Sequence, residues 1–427
     1  MSEGTTVQMN TDPQVVDMAL GHPSPALLPL GAMQRAAEHR FAQGDPLILQ
    51  YGFEQGDAGF RAELAALLEA RSGAAVQADS LMVTGGISQS LALLCSLYTR
   101  PGDEILVEDP TYFLALRIFE DFGLKVTALP GDEEGLDPDA VEQYLAKHPG
   151  NLPGGKPGGV AGSGQAGGQS RMPRFLYTIP VFQNPTGRTV SQDRRGRLIE
   201  IAEKYGLLVV ADEAYQLLSY RDAPPVPLAS AAAAASGSLA ASGSPQASIA
   251  ASGSTQVISL GSFSKILGPG LRLGWLQTDE KNLQKITGCG MLDSGGGLNP
   301  FTSTLVRSMF QSGDMARHLD HLIGEYRRRM DAVVESITAE LGGLAEVDNP
   351  GGGYFVWVKL PETADSRELK KPARRHKVNF IPGSSASPSG SFRNYLRLSI
   401  SYNEVNRLQS GVKRLAEVVR EAGTDRG

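Results

Sequence analysis

Five short apolar runs set the limits on this fold: Leu81-Met82-Val83-Thr84, Glu104-Ile105-Leu106-Val107, Phe175-Leu176-Tyr177-Thr178-Ile179, Leu207-Leu208-Val209-Val210-Ala211 and Val257-Ile258-Ser259-Leu260. Each has strand length, and turn residues follow it. Helical patterns lie between them, including Ser90 to Leu97 and a segment ending at Tyr205. Strands that alternate with helices from Leu81 to Leu276 imply a largely parallel sheet, buried on both faces. In such sheets ligands sit beyond the carboxyl ends of the strands. Gly86, Tyr112, Asn184, Asp212 and Lys265 all fall at such ends.

The richest of these ends is Ser262-Phe263-Ser264-Lys265-Ile266-Leu267-Gly268-Pro269-Gly270-Leu271-Arg272. Gly268, Pro269 and Gly270 stop any helix within a turn, which keeps the Lys265 ammonium near two hydroxyls and Arg272 on one short segment. Two cations and two hydroxyls suit a phosphate, and an amine depressed by burial or by a neighbouring cation can attack a carbonyl on the same molecule. A solvated lysine beside an ordinary Gly-Pro-Gly turn is the plainer reading of the segment taken alone.

The other ends add parts. Gly85-Gly86-Ile87-Ser88-Gln89 opens a helix whose first N–H groups lack partners, which suits a phosphate, although glycine there is also common punctuation. Tyr112 places a ring that could stack on a flat heterocycle or simply pack. Pro185 and Gly187 aim the Asn184 amide outward from its turn. His22, beside Pro23, is a loop residue that could touch a ligand. Asp212, at the lip of a buried strand, needs either a cationic partner such as a protonated ring nitrogen or a role as cap of the next helix. In the run Tyr395-Leu396-Arg397-Leu398-Ser399-Ile400, Leu396, Leu398 and Ile400 share one face and Arg397 the other. A guanidinium in so apolar a strand fits an anion, with a bidentate carboxylate or an internal ion pair as the two choices.

Composition removes other function classes. A net charge of -6 over 427 residues argues against nucleic acid and anionic membranes as partners, and no apolar stretch approaches a membrane span. Met1 to Asn10 has no secretory pattern, and Cys95 and Cys289 form neither a disulfide framework nor a zinc site, so a cytoplasmic protein without a metal is expected. The Gly-rich frame from Gly150 to Lys156 fails as a phosphate loop because Pro157 stands where Ser or Thr is required. That segment, about 151–171, and an Ala/Ser/Gly tract at 230–255 read as flexible insertions. Asp293 to Pro300 reads as a loop, and Thr302 to Ile337 as helical, with Arg327, Arg328 and Arg329 on a solvated face. Strands at Gly351 to Val358, Val378 to Gly383 and Tyr395 to Ile400, then a helix from Glu404 to Ala422, read as a separate small α/β layer.

With Asn184-Pro185-Thr186-Gly187, Asp212-Glu213-Ala214-Tyr215 and Ser262-Phe263-Ser264-Lys265 through Arg272 in this order and spacing, the chain resembles the class I/II aminotransferases, fold type I pyridoxal-phosphate enzymes. The style of Ser262 to Trp275, with Tyr51-Gly52 and Ser294 to Asn299, is most similar to the branch of 2-aminoadipate and kynurenine aminotransferases and the aminotransferase-like domains of certain transcription regulators. The resemblance implies an α/β fold: a large domain with a mostly parallel sheet flanked by helices, plus a smaller C-terminal α/β domain joined by the N-terminal arm. The expected division is an arm at 1–46, a cofactor domain at 47–300 and a small domain at 301–427. It implies that Lys265 carries pyridoxal 5'-phosphate as a Schiff base, that Asp212 pairs with the ring nitrogen, and that Asn184 and Tyr215 bond the phenolic oxygen beneath a stacked Tyr112. Ser262, Ser264, Arg272, Gly86, Ile87 and Ser88 would hold the phosphate, with Ile87 standing where relatives often carry a polar side chain. Tyr51 would reach the phosphate of a neighbouring subunit in a homodimer. Arg397 would clamp the substrate α-carboxylate, with Gly21 and Asn184 beside it.

The implied reaction moves an amino group between an L-amino acid, with 2-aminoadipate, aromatic or branched donors as candidates, and a 2-oxo acid such as 2-oxoglutarate. A β-lyase using the same cofactor and a non-catalytic ligand-binding regulatory domain are the alternatives. The latter requires a DNA-binding domain, for which the residues before Gly21 leave no room. A nucleotide-binding oxidoreductase is disfavoured because no GxGxxG opens the first strand-helix unit.

Overall fold

The computed structural model of the protein describes residues 12–148, 172–237 and 255–424. The chain enters through β1 (Val16–Asp17) and an arm in which Pro25 opens a single 3-10 turn, Pro25–Leu27, and then forms α1 (Leu30–Ala42) and α2 (Ala58–Ser72). Asp57 caps α2 by accepting from the Phe60 N–H, and Gly73 ends it in the left-handed conformation. The sheet-and-helix alternation follows: β2 (Leu81–Thr84), α3 (Ile87–Tyr98), β3 (Glu104–Asp109), α4 (Phe113–Asp121), β4 (Lys125–Asp132), β5 (Gly135–Leu136), α5 (Pro138–Lys147), β6 (Phe175–Thr178), α6 (Gln192–Tyr205), β7 (Leu208–Asp212), α7 (Leu228–Ala235), β8 (Val257–Ser262) and β9 (Gly274–Gln277).

These strands form one eight-stranded sheet in the order β2-β9-β8-β7-β6-β3-β4-β5. β8, β7, β6, β3 and β4 are parallel, while β9 runs against both β8 and β2. Thr84 and Ser262 both lie opposite Gly274, so β2 ends at the same edge as β8. The carboxyl ends of β2, β3, β6, β7 and β8 therefore open on one side. The central strands are buried throughout, as both faces are covered by apolar clusters.

The chain then continues through α8 (Glu280–Thr287), α9 (Gly290–Gly295), α10 (Pro300–Gln311) and α11 (Asp314–Leu341) into β10 (Glu346–Val347), β11 (Phe355–Lys359), α12 (Lys370–Arg375), β12 (Val378–Asn379), β13 (Ile381–Pro382), β14 (Tyr395–Ser399) and α13 (Val405–Thr424). A second, antiparallel sheet has the order β10-β11-β14-β13, and β12 pairs in parallel with β1 of the arm. The architecture is the expected mixed α/β fold with a mostly parallel main sheet. Among the described residues no helix is long and apolar enough to cross a membrane.

Several local expectations need correction. The single helix expected over Thr302 to Ile337 is two, broken where Gly313 takes φ 72° between α10 and α11. The loop expected over Asp293 to Pro300 includes the end of α9. The strand expected from Val378 to Gly383 is divided between two sheets, with the buried Phe380 at the division. Gly351 to Gly353 precede their strand because they pack against Phe182 and the backbone of Leu218, where a Cβ on Gly352 would sit 2.4 Å from either. Arg329 is not solvated: it is fully buried, donating through Nε to Glu325 and through NH1 to the Ser401 carbonyl. The 230–255 tract begins too early, because α7 occupies its first residues and buries Ser230 and Ala232, with Ser230 Oγ accepting from Gln277. Thr255, at its other end, is buried, while residues 238–254 and the 151–171 insertion lie outside the described residues.

Candidate active site

The carboxyl edge of the main sheet carries three groups of side chains. The first is an anion cradle. Gly86, at φ 93°, is the N-cap of α3 and supplies no side chain, so the N–H groups of Ile87 and Ser88 at the helix start have no intrahelical partners. A Cβ at Gly86 would lie 3.4 Å from Arg272 NH2 and 3.8 Å from Ser262 Oγ, which places cation, hydroxyl and helix terminus around one space. Arg272 also donates to the carbonyls of Gly85 (3.2 Å) and Pro269 (3.1 Å). Ser262 Oγ accepts from the Ser264 N–H at 3.1 Å, which fixes its direction.

The second group surrounds Lys265, which follows β8 in a turn closed by Gly268 and Pro269. Its Nζ donates to the Gly21 carbonyl at 2.6 Å and lies 5.9 Å from the ring centroids of both Tyr215 and Tyr354. Burial, then the positive charge of Arg397, bring its pKa down to about 8. Asp212 ends β7, and burial raises it to about 6 against hydrogen bonds from Tyr177 and the Ala214 N–H. No helix follows Asp212 until α7, so it is not the cap of one. A buried carboxylate with Lys265 in its field is suited to a cationic ring nitrogen.

The third group joins the two sheets. Arg397 lies on β14, with Leu396 and Leu398 buried on the opposite face. Its NH1 donates to Asn184 Oδ1 at 2.8 Å and its NH2 to the Ala19 carbonyl at 2.6 Å, while Nε is buried and unbonded. Its guanidinium carbon stands 4.2 Å from the Phe355 ring centroid, and burial lowers the group to about 10. Among the described residues no carboxylate forms an ion pair with Arg397, so the internal ion pair weighed from the sequence is not what holds it. Tyr112 sits just before α4, with its phenol raised to about 12 by burial and by the charge of Asp212. The phenol of Tyr215 is raised well above its usual range by burial and by Tyr112.

Lys265, Asp212, Asn184, Arg397, Gly21, Tyr112 and Tyr215 thus converge, and Gly86, Ile87, Ser88, Ser262, Ser264 and Arg272 lie along one side. Tyr51 stands apart. Its ring is 75% exposed beside Gly296, and among the described residues no hydrogen bond or ring contact joins that ring to the others. His22 stacks edge-on to Tyr402 and has a buried, unbonded Nε2.

Three residues of this site were not singled out from the sequence. Tyr177 donates to Asp212 Oδ2 at 2.8 Å. Glu108 is buried at the end of β3, accepts from the Ile179 N–H (2.6 Å) and Thr178 Oγ1 (3.3 Å), and is raised to about 8 by burial. Tyr354 donates to the Lys265 carbonyl at 2.6 Å, with the Tyr326 hydroxyl 3.1 Å away. The available signal was a polar atom in an apolar strand, which must find a partner when buried.

The cradle, the amine and the buried carboxylate fit a phosphorylated aromatic aldehyde with a ring nitrogen. Known proteins agree. The profile of the family Aminotransferase class I and II matches residues 15–415. The chain is similar to 2-aminoadipate transaminase of Thermus thermophilus, 29% identical over 97% of this chain and 92% of that one. It is 28% identical to aromatic-amino-acid aminotransferase 1 of Thermococcus litoralis, over 95% of this chain and 88% of that one. Among solved structures it resembles Pyrococcus horikoshii kynurenine aminotransferase, with TM-score 0.79, 27% identity, and 96% and 92% of the two chains covered.

Proposed function

This chain belongs to the aminotransferase class I and II family and is a pyridoxal-phosphate-dependent aminotransferase, and we propose that Lys265 is the residue that carries the cofactor and moves the substrate proton. The observation that carries the reading is Arg397: a buried guanidinium on Asn184 Oδ1, without a carboxylate partner among the described residues, whose charge acts on Lys265. That is the arrangement an amino acid requires, with its carboxylate held and its α-carbon presented to an amine.

When bound, pyridoxal phosphate supplies an electrophilic carbonyl and a ring that accepts the electron pair released at the substrate α-carbon. The chain's own residues do the rest. Ser262, Ser264, Arg272 and the N–H groups of Ile87 and Ser88 beyond Gly86 hold the phosphate. Asp212 would keep a proton on the ring nitrogen, Tyr112 would cover a ring face, and Asn184 and Tyr215 would bond the phenolic oxygen. Arg397 grips the α-carboxylate, with Gly21 and Asn184 at its side. Lys265, lowered to about 8 by burial and by Arg397, has a usable neutral fraction near pH 7 and would serve as the base that takes the substrate α-proton and as the acid that gives it back to the cofactor carbon.

The family members named for 2-aminoadipate, aromatic amino acids and kynurenine make these donors the first to test here, with 2-oxoglutarate as acceptor. The protein works as a homodimer, a reading supported by exposed Leu30, Leu47, Leu49, Tyr51 and Phe53, and the free thiols of Cys95 and Cys289 support a reducing, cytoplasmic setting. The division into an arm (1–46), a cofactor domain (47–300) and a small domain (301–427) is supported by the separate sheets.

The test is spectroscopic. Purified protein should be yellow, bleach with a donor amino acid and recover with a 2-oxo acid, and a donor panel then identifies the side chain preferred. Release of ammonia without any acceptor would instead mark a β-lyase.

A further inference from the structure

We propose that Tyr177 is a positioning residue for the transamination chemistry, its hydroxyl holding Asp212 anionic and oriented so that the ring nitrogen of the bound cofactor stays protonated. The proposal rests on the cofactor reading above. Tyr177 lies opposite Val210 in the β6/β7 ladder, so Asp212, two residues further along β7, is on the same face and within diagonal reach. The contact is direct, 2.8 Å from the phenol oxygen to Asp212 Oδ2, and the Tyr177 side chain is fully buried. Its ring is held edge-on by Phe119, with centroids 5.4 Å apart, so the hydroxyl has little freedom to turn elsewhere.

The partner inventory makes this bond matter. Asp212 Oδ1 receives only the Ala214 N–H at 3.2 Å, and among the described residues no other side chain hydrogen-bonds the carboxylate. The charged and titratable groups facing this corner are otherwise engaged or distant: Glu108 of β3 takes donors from Ile179 and Thr178, Lys265 donates to Gly21, and Arg397 of β14 donates to Asn184 and Ala19. Tyr112 and Tyr215 act on the site through their rings and phenols. Tyr177 is therefore the single side-chain donor to the carboxylate among the described residues, and burial keeps its proton in place at any working pH. Each oxygen of Asp212 retains a lone pair for a ring N–H. Without the phenol, the carboxylate becomes the stronger base and draws the proton from the ring nitrogen, which weakens the ring as an acceptor of the substrate's electron pair.

The experiment compares holoenzyme carrying Tyr177→Phe with wild type, in which borohydride fixation of cofactor at Lys265 independently checks the underlying reading. Phe fills the same space between Phe119 and the strand, so packing is kept. The expected result is a fall in kcat of about 10- to 100-fold, the worth of a hydrogen bond to a charged group, with KM changed much less. The pH midpoint of the cofactor's absorbance change, which reads ionisation at its link to Lys265, should move up as the ring loses positive charge. In an Asp212→Asn background the added Tyr177→Phe should change kcat less than about threefold, since the two act as one unit. If the Phe variant is insoluble, 3-fluorotyrosine at 177, a stronger donor, should shift the midpoint down. An unchanged midpoint in an enzyme that still fixes cofactor at Lys265, or an equal kcat loss in the Asp212→Asn background, would overturn the proposal.

Discussion

A guanidinium in an apolar strand must have its charge answered, and among the described residues Arg397 meets an amide oxygen, a main-chain carbonyl and the Phe355 ring but no carboxylate. An incoming carboxylate would complete it. Arg397→Ala should therefore leave the cofactor absorbance unchanged and lower kcat/KM for amino acids and 2-oxo acids alike, by about 2 to 5 kcal/mol, as when a buried charge loses its partner. Arg397→Lys should recover part, because a point charge cannot reproduce a two-bond fork. Wild-type kcat/KM in the Ala variant would move the clamp elsewhere, with Arg393 next to test, although that side chain is paired with Asp365. Burial first, and the charge of the same arginine second, depress Lys265, whose pKa falls from 10.5 to about 8. The lysine is thus charged below about pH 8 and reactive above it, so covalent capture of pyridoxal phosphate by the apoprotein should accelerate as pH rises through about 8. Removing Arg397 takes away a repelling cation but leaves the larger effect of burial, so the midpoint should rise above about 8 and stay below 10.5, as read by stopped-flow absorbance. Lys265→Ala should bind the cofactor without covalent attachment and fail to turn over, and steady-state transamination by that variant would remove the lysine from its assigned role.

At the scale of elements, α7 decides which part of the Ala/Ser/Gly tract is dispensable. Its Leu228, Ala229 and Ala232 are buried against the sheet, the Ala229 N–H donates to Ser259 Oγ, and Ser230 accepts from Gln277. Replacing 238–254 by a short Gly/Ser link should preserve cofactor binding and activity, since closing a long loop costs little. Extending the deletion back to 230 should lower Tm and the yield of soluble protein, because it strips cover from β8. Equal Tm values for the two deletions would mean that α7 contributes nothing to the sheet. The same helix marks where the sequence ceases to be informative. The strand ends were legible because each combined an apolar run with Gly, Pro or a chemical group, and local composition settles that. Whether an alanine run packs is settled by what it meets. Gly313 interrupts an apolar period that continues on both sides of it, so the period alone joined α10 to α11. Val378 to Gly383 divides because β12 finds β1 and β13 finds β14, partners hundreds and tens of residues away. Arg329 reads as surface within an Arg run, yet its side of α11 faces the Ser401 carbonyl, with Glu325 one turn back on the same helix. Tyr177 and Glu108 were hidden for the same reason: their roles are bonds across the sheet, to Asp212 and to Ile179.

The whole molecule leaves one face unfinished. Leu30, Leu47, Leu49, Tyr51 and Phe53 are each 70% or more exposed, with Phe41 at 54% and Met291 at 52%. Phe41, Leu47, Leu49, Tyr51 and Phe53 lie along the start of α10 and the turn before it. Phe41 contacts Phe301 at 6.2 Å between ring centroids, a Cβ on Gly52 would meet Pro300 at 2.9 Å, and one on Gly297 would meet the Phe53 carbonyl at 2.0 Å. Monomers rarely expose so many large apolar side chains together, and a second copy of the chain is the cover that the homodimer reading supplies. Tyr51 lies within this face, which is how a residue without contacts to its own site could serve a neighbour's. Leu49→Asp with Phe53→Asp should place two charges per subunit in the contact, and sedimentation should show about half the wild-type mass. Tyr51→Phe should behave differently: it should remain at the wild-type mass while holding the cofactor about tenfold less tightly, the worth of one hydrogen bond to a phosphate. If the double Asp variant keeps the wild-type mass, this face is not the subunit contact. If Tyr51→Phe binds the cofactor as tightly as wild type, its hydroxyl does not reach a neighbouring phosphate, and the patch would then serve assembly alone.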